Sequence, residues 1–239
     1  FSMYKNKTIS LVLPAFNEQI NIKQSIEEFL GTGVFDEIIV IDNNSSDNTA
    51  VEIKKTSATY IIEKNQGYGA AIRTGLKNCT GDYIVMCEPD GTFQANDIHK
   101  FLSYAEQFDC VFGTRTAKST IGKNAKMQFY LRVGNILVAK FLEYLFLGPT
   151  LSDVGCTFKL LSKKSYKQME SQLMVTGSEL QPEIMVHAIK NGNSIIEIPV
   201  NYLARKGYSK ITYNFSSALV LALKMLYLLV SLKFRFLFK

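Results

Sequence analysis

The sequence predicts an α/β fold, a mixed and mostly parallel sheet flanked by helices. Three observations carry that expectation. Short apolar runs of strand length recur through the first half, they are apolar continuously rather than at every second residue, and helical patterns separate them. Strands buried on both faces and joined through helices form parallel sheets with right-handed crossovers.

Taken in order, Ile9–Leu13 (ISLVL) is the first predicted strand, and Ile22, Ile26, Phe29 and Leu30 follow at helical spacing. Ile38–Ile41 (IIVI) is the second strand. Asp47, Asn48 and Thr49 are residue types that cap helices, so Asp47–Lys55 reads as a helix. Tyr60–Ile62 and Tyr83–Met86 (YIVM) are further strands, and Gly67-x-Gly69 opens a helix between them. Past residue 110 the alternation weakens. Cys110–Thr114, Thr157–Leu161 and Ser194–Pro199 read as strands, Met127–Leu147 as a long apolar helix, and Glu179–Lys190 as another helix. No repeat, low-complexity tract or Pro/Gly-rich linker divides the chain, so both halves are expected to share one core.

Composition excludes several classes. With 239 residues, 47% hydrophobic and a mean hydropathy of +0.05, the chain is neither disordered nor collagen-like. Its four cysteines form no C-x-x-C pair and only His99 and His187 could assist them, which argues against a zinc site or disulfide scaffold and for reduced thiols. Charge is unevenly spread: residues 1–110 carry a formal −6 and residues 111–239 a formal +12. The acidic half suits a cation and the basic half suits anions. Ile9–Phe16 is short and contains Pro14, so no signal peptide is expected, and Phe1 and Ser2 ahead of Met3 read as an expression remnant. Phe215–Val230 is apolar nearly all round, with Lys233, Arg235 and Lys239 beyond it among Phe234, Phe236, Leu237 and Phe238. Such a segment fits the boundary between anionic head groups and acyl chains; at 16 residues it falls short of the roughly 20 that span a bilayer.

In parallel sheets ligands bind beyond the carboxyl ends of the strands. The polar residues found there are Asn17/Glu18, Asp42/Asn43, Asn65 to Gly69, and Glu88/Asp90. A dinucleotide fingerprint would need glycine at position 72, which is Ile72, and no phosphate-binding G-x-x-x-x-G-K-[ST] exists. Glu88-Pro89-Asp90-Gly91 sets two carboxylates after a buried strand with a turn glycine behind them, an oxygen donor set suited to a hard divalent cation completed by phosphate. An ordinary acidic turn would look alike. Basic residues interleaved with tyrosines between Tyr202 and Tyr213 lack any nucleic-acid-binding module, so nucleic acid is not expected as a partner.

Seven segments in order carry a resemblance: Leu11–Glu18, Ile41–Thr49, Asn65–Gly75, Gly81–Gly91, Gly113–Arg115, Asp153–Lys159 and Pro199–Lys210. Together they resemble the inverting family 2 glycosyltransferases, most of all the branch with dolichyl-phosphate mannose synthases and bacterial polyprenyl-phosphate sugar transferases. The resemblance implies a GT-A type nucleotide-sugar transferase fold. It also implies a catalytic domain over residues 3–212 and a membrane-associating segment over 213–239, at a cytoplasmic membrane face.

The residue roles that follow are those the resemblance implies. Pro14, Phe16, Glu18 and Asp42 line the donor nucleotide pocket, and Asn65, Gly67 and Arg73 belong to the loop that closes on it. Asp90 and Glu88 hold Mg²⁺ or Mn²⁺, Glu88 standing where the family usually has aspartate. Asp153 is the catalytic base, or orients an acceptor that is already anionic. Arg115, Arg205 and Lys210 bind phosphate or acceptor. The implied activity moves a sugar from a nucleotide diphosphate sugar to a membrane polyprenyl phosphate with inversion. Two alternatives stand beside it: a saccharide or lipid-linked oligosaccharide acceptor in cell-surface polysaccharide synthesis, and nucleotide-sugar binding without turnover.

Overall fold

A computed structural model describes residues 6–125, 127–206 and 215–238. One seven-stranded sheet organises them, built from β1 (Ile9–Ala15), β2 (Glu37–Asp42), β3 (Thr59–Ile62), β4 (Tyr83–Met86), β5 (Cys110–Thr114), β6 (Lys159–Ser162) and β7 (Ile195–Pro199) in the order β3-β2-β1-β4-β6-β5-β7. Only β6 runs against its neighbours, pairing antiparallel with β4 and β5; every other pair is parallel. The mixed, mostly parallel sheet expected from the sequence is therefore what forms.

Helices cover both faces. Ile22, Ile26 and Phe29 of α1 (Ile22–Leu30), Ile53 of α2 (Thr49–Ile53) and Ile98, Phe101 and Leu102 of α4 (Ile98–Ala105) pack on Leu11, Leu13, Ile38, Val40 and Val85. On the other face, α3 (Tyr68–Asn78), α5 (Phe129–Phe146), α6 (Lys163–Met169), α7 (Leu180–Lys190) and α8 (Phe215–Leu237) bury Val12, Ile39, Ile41, Ile84 and Met86. Alternate residues of β1 thus enter opposite cores, which is why the run is apolar without a break. At roughly 1.5–3 kcal/mol for each fully buried large aliphatic side chain, these two layers dominate the stability of the fold.

Two helices, α4 and α6, have no counterpart in the sequence expectations. Each is a turn or two long, and α6 begins on a local device, the Ser162 hydroxyl accepting from Ser165 N at 3.1 Å. The C-terminal helix also exceeds its apolar run, reaching 23 residues. Met225, Leu229 and Leu232 form its buried stripe, and Lys233 Nζ donates to the Leu145 carbonyl at 2.7 Å. By length and composition α8 could cross a membrane, and only 17% of its most apolar window is buried, unlike a core helix.

Candidate active site

Parallel pairing brings the ends of β1, β2 and β4 to one edge. Ala15 pairs with Asp42, and Cys87 N donates to Val12 O at 3.2 Å, so the residues after each strand meet there. Pro14 is buried within β1, and Phe16 leaves the strand partly exposed. Asp42 is buried and accepts from Ser45 N at 3.0 Å and from the Tyr60 hydroxyl at 3.1 Å.

The loop expected to close on a nucleotide is latched by Asn43, one of the polar residues at the strand ends, to which the resemblance assigns no role of its own. Asn43 Nδ2 donates to Asn65 O at 2.8 Å and to Glu63 O at 3.0 Å, while its Oδ1 accepts from Gly67 N at 2.7 Å. Gly67 has φ of 148°, and a Cβ there would collide with the Thr176 carbonyl, so only glycine fits. Asn65 and Gly67 therefore belong to one supported turn. Arg73 Nη1 donates to Met174 O at 3.0 Å, and its side chain lines, together with Asn65 and Thr176, a cavity of about 410 Å³ on the flank of α3.

The acidic turn after β4 is strongly polarised. Asp90 is 1% exposed; Oδ1 accepts from Thr92 N at 2.9 Å and from the Thr92 hydroxyl at 2.5 Å. Asp90 Oδ2 is buried; Arg205 Nη1 lies 3.1 Å from it in poor hydrogen-bond geometry, and the neighbouring Glu88 carboxyl, when protonated, donates a hydrogen bond to Asp90. Nη2 of the same guanidinium is 3.1 Å from Glu18 Oε1. Burial first, and then the charge of Asp90, push the Glu88 carboxyl up to about 8, opposed by Arg205. Glu18, Glu88, Asp90 and Arg205 thus converge from three separate segments. Lys210 lies outside the described residues.

The fit of a divalent cation can be tested on these atoms. A buried carboxylate oxygen met by a guanidinium only in poor geometry, beside a second carboxyl that burial and the Asp90 charge keep protonated at neutral pH, is a donor set that gains from added positive charge. Among the described residues no group of three His, Cys, Asp or Glu side chains could enclose a metal by itself. Oxygens from a diphosphate would have to complete the shell, as the motif alone implied.

Asp153 is in the opposite condition. It is fully buried, and both carboxylate oxygens are taken: Arg115 N and Nε donate to Oδ2 and Arg115 Nη2 to Oδ1, all at 2.9 Å, with Gly155 N on Oδ1 at 3.1 Å. Burial alone would raise this carboxyl, but the Arg115 charge and hydrogen bonds outweigh it and hold it below the usual value. Arg115 lies with its guanidinium carbon 5.4 Å from the centre of the Tyr202 ring. Behind the pair, Glu197 of β7 accepts from Ser152 N and Asp153 N at 3.0 Å, and the fully buried Lys159 donates to Cys156 O. Burial lowers the Lys159 ammonium, with Cys156, Asp153 and Glu197 opposing. Asn43, Tyr202, Lys159 and Glu197 all sit in or beside quoted motifs; only their partners, distant in sequence, give them a role.

Comparison with known proteins adds the decisive observation: the model of glycosyl transferase family 2 matches residues 10–169. The chain belongs to that family. The chain is 26% identical over 199 residues to the glycosyltransferase AglJ of Haloferax volcanii, covering 82% of this chain and 63% of that protein. It is 29% identical over 206 residues to the low-salt glycan biosynthesis hexosyltransferase Agl6 of the same organism, covering 84% of this chain and 49% of that one. The chain therefore spans about half to two thirds of these curated relatives. An uncharacterised protein of Methanocaldococcus jannaschii, 27% identical over 233 residues, is covered over 92% of its length and 94% of this chain. Among solved structures, the glucosyl-3-phosphoglycerate synthase of Mycobacterium tuberculosis, in complex with Mn²⁺, UDP and phosphoglyceric acid, superposes with a TM-score of 0.75 at 17% identity, over 95% of this chain and 78% of that one. That likeness establishes the GT-A architecture.

Proposed function

We propose that this family 2 glycosyltransferase moves a sugar from a nucleotide diphosphate sugar to a membrane polyprenyl phosphate, inverting the anomeric centre. The convergence of Glu18, Glu88, Asp90 and Arg205 beyond the strand ends carries the proposal. The bound Mn²⁺ and UDP of the mycobacterial synthase support a nucleotide donor and a divalent ion in the same architecture. Asp90 and Glu88 would hold Mg²⁺ or Mn²⁺, and that ion would offset the charge gathering on the departing diphosphate.

The chain's own residues do the rest. Asp42 and the Asn43-latched turn receive the nucleoside, Glu18 and Phe16 flank it, and Arg205 supplies positive charge near the reacting groups, whereas Arg115, expected to bind phosphate, is engaged by Asp153. An acceptor oxygen forms its bond to the anomeric carbon as the bond from that carbon to the diphosphate breaks, and the nucleoside diphosphate leaves with the electron pair. A phosphate acceptor is already anionic and needs no proton removed. The fully hydrogen-bonded state of Asp153 favours such an acceptor, because a base must release a partner before it takes a proton.

The membrane enters through α8. Leu223, Tyr227 and Phe234 are more than half exposed on a helix whose opposite stripe holds the catalytic core, and the division at about residue 212 would make this helix the membrane-associating part. The test combines a donor screen with transfer. UDP-, GDP- and dTDP-sugars with Mn²⁺ are ranked by thermal stabilisation, and the best donor is offered a polyprenyl phosphate in anionic vesicles or a free saccharide. Transfer to the phosphate is expected, with flotation on the vesicles that is lost in a Leu223→Glu/Tyr227→Glu variant. Transfer to the saccharide alone, with no flotation, would overturn the acceptor and membrane assignments together.

A further inference from the structure

Of the two buried ion pairs in the site, one is built as a hydrogen-bonded fork and one is not. Arg115 meets Asp153 with two guanidinium nitrogens and its own backbone N–H, each at 2.9 Å. Arg205 instead divides its two terminal nitrogens between carboxylates of different segments, Glu18 and Asp90, at 3.1 Å each. Its approach to the buried Asp90 Oδ2 is in poor hydrogen-bond geometry. The interaction with Asp90 is therefore charge compensation without directional fit. Such a contact is easier to exchange for another cation than a fork is.

The backbone around Arg205 does not need to move for that exchange. Leu203 N donates to Thr92 O at 2.7 Å, Lys206 N donates to Asp90 O at 3.2 Å, and Asn21 Nδ2 donates to Lys206 O at 2.7 Å. These bonds fix the chain on both sides of Arg205, so the side chain alone can leave. Its side chain is 23% exposed, against 2% for Asp90, and so it reaches Asp90 from the open side.

We infer that Arg205 is a resident counter-cation, holding the place of the divalent ion against Asp90 until a diphosphate gives the guanidinium another anion. This rests on the assignment of Asp90 as an ion ligand. The two cations repel, so an ion entering beside Asp90 must displace Arg205, and a guanidinium expelled from two carboxylates is stabilised by bidentate contact with phosphate oxygens. Ion and nucleotide then bind interdependently: each makes room for the other, and the coupling is the same in both directions. Arg205 thereby discourages a bare ion from occupying the site when no donor is present.

The experiment measures Mn²⁺ affinity of the whole chain by water proton relaxation, which separates protein-bound ion from the Mn²⁺–UDP complex. It is run under argon in one buffer at a single pH for native protein and every variant. Without nucleotide, Arg205→Gln should bind Mn²⁺ about tenfold or more tightly than the native chain, the scale on which one close opposite charge alters a carboxylate's affinity for a proton. Arg205→Lys should stay near native, and Arg205→Gln combined with Asp90→Asn should lose the gain. Native protein should also bind Mn²⁺ more tightly with UDP than without, an arm that holds even if Arg205→Gln does not fold. Equal or weaker Mn²⁺ binding by a folded Arg205→Gln, or no effect of UDP on native Mn²⁺ affinity, overturns the counter-cation role. Failure of the underlying assignment has a different signature: Asp90→Asn alone would then bind Mn²⁺ with UDP as well as native protein does.

Discussion

Asp90 and Asp153 are both buried aspartates facing an arginine, and they are held in opposite ways. Asp153 has four donors on two oxygens and a carboxyl drawn below its usual value. Asp90 has one oxygen satisfied by Thr92, while its other side meets Arg205 in poor geometry and a Glu88 carboxyl that burial and the Asp90 charge push up to about 8. The first arrangement is complete without a ligand and contributes to the fold. The second is left short of positive charge and can gain from a ligand. Burial and ion pairing alone do not tell a structural carboxylate from a binding one; the hydrogen-bond count does.

The largest effect should come from the open site. Asp90→Ala should lower transfer by at least about 10²–10³-fold, the scale of losing one charge-stabilising group, and abolish the dependence of nucleotide binding on the ion. Its melting temperature should fall less than that of Asp153→Asn, because Arg205 keeps Glu18 and the loss is chiefly that of the two Thr92 hydrogen bonds. A large fall in thermal stability would show Asp90 to be as structural as Asp153. Chelator titration of nucleotide affinity reads the other half.

Asp153→Asn should do the reverse to stability. It leaves the Arg115 guanidinium buried without its counter-charge, a loss of about 3–5 kcal/mol. The sign with pH follows from the lowered carboxyl: its contribution is present above the ordinary unfolded value of 3.8 and disappears as pH falls through the lower folded value. Denaturant melts of native and variant protein should therefore differ at neutral pH and converge in acid. If instead the variant is stable and transfer falls by roughly 10²–10⁴-fold with a steep pH profile, Asp153 is a general base and the acceptor is a hydroxyl.

A smaller effect is expected at the loop latch. Asn43→Ala removes four side-chain hydrogen bonds, of which the donors and acceptors at the loop can turn to water, so about 1–3 kcal/mol should appear mainly as weaker nucleotide affinity. Calorimetric titration of UDP against the variant checks this, and an unchanged affinity would detach the turn from the nucleotide. Smallest is the response to thiol reagents. Cys79, Cys110 and Cys156 are buried with thiols pushed up to about 12, chiefly by burial, so native protein should resist iodoacetamide until denatured. Rapid labelling of Cys156 would show that the Asp153 neighbourhood opens.

The β-rich first half could be read in order because strands buried on both faces must be apolar throughout, and a parallel sheet sends their polar successors to one edge. That logic located Glu18, Asp42, Glu88 and Asp90 before any coordinates. It missed α4 and α6, whose short patterns hold too few turns to separate from loop, while the C-terminal segment expected over 213–239 holds one helix, Phe215–Leu237, that runs on past the apolar run ending at Val230.

The sequence by itself determined the elements, the edge at which ligands gather and the residue types found there, since these depend on local periodicity and on strand direction. Tertiary structure alone decided the pairings. Arg115 goes to Asp153 across 38 positions and Arg205 to Glu18 across 187, so whether an arginine is a phosphate ligand, a lock or a place-holder depends on packing that no local pattern encodes. Charge interactions act through space and not along the chain, so the same residue types that mark a site in the sequence take their separate roles only when the sheet has brought them within a few ångströms.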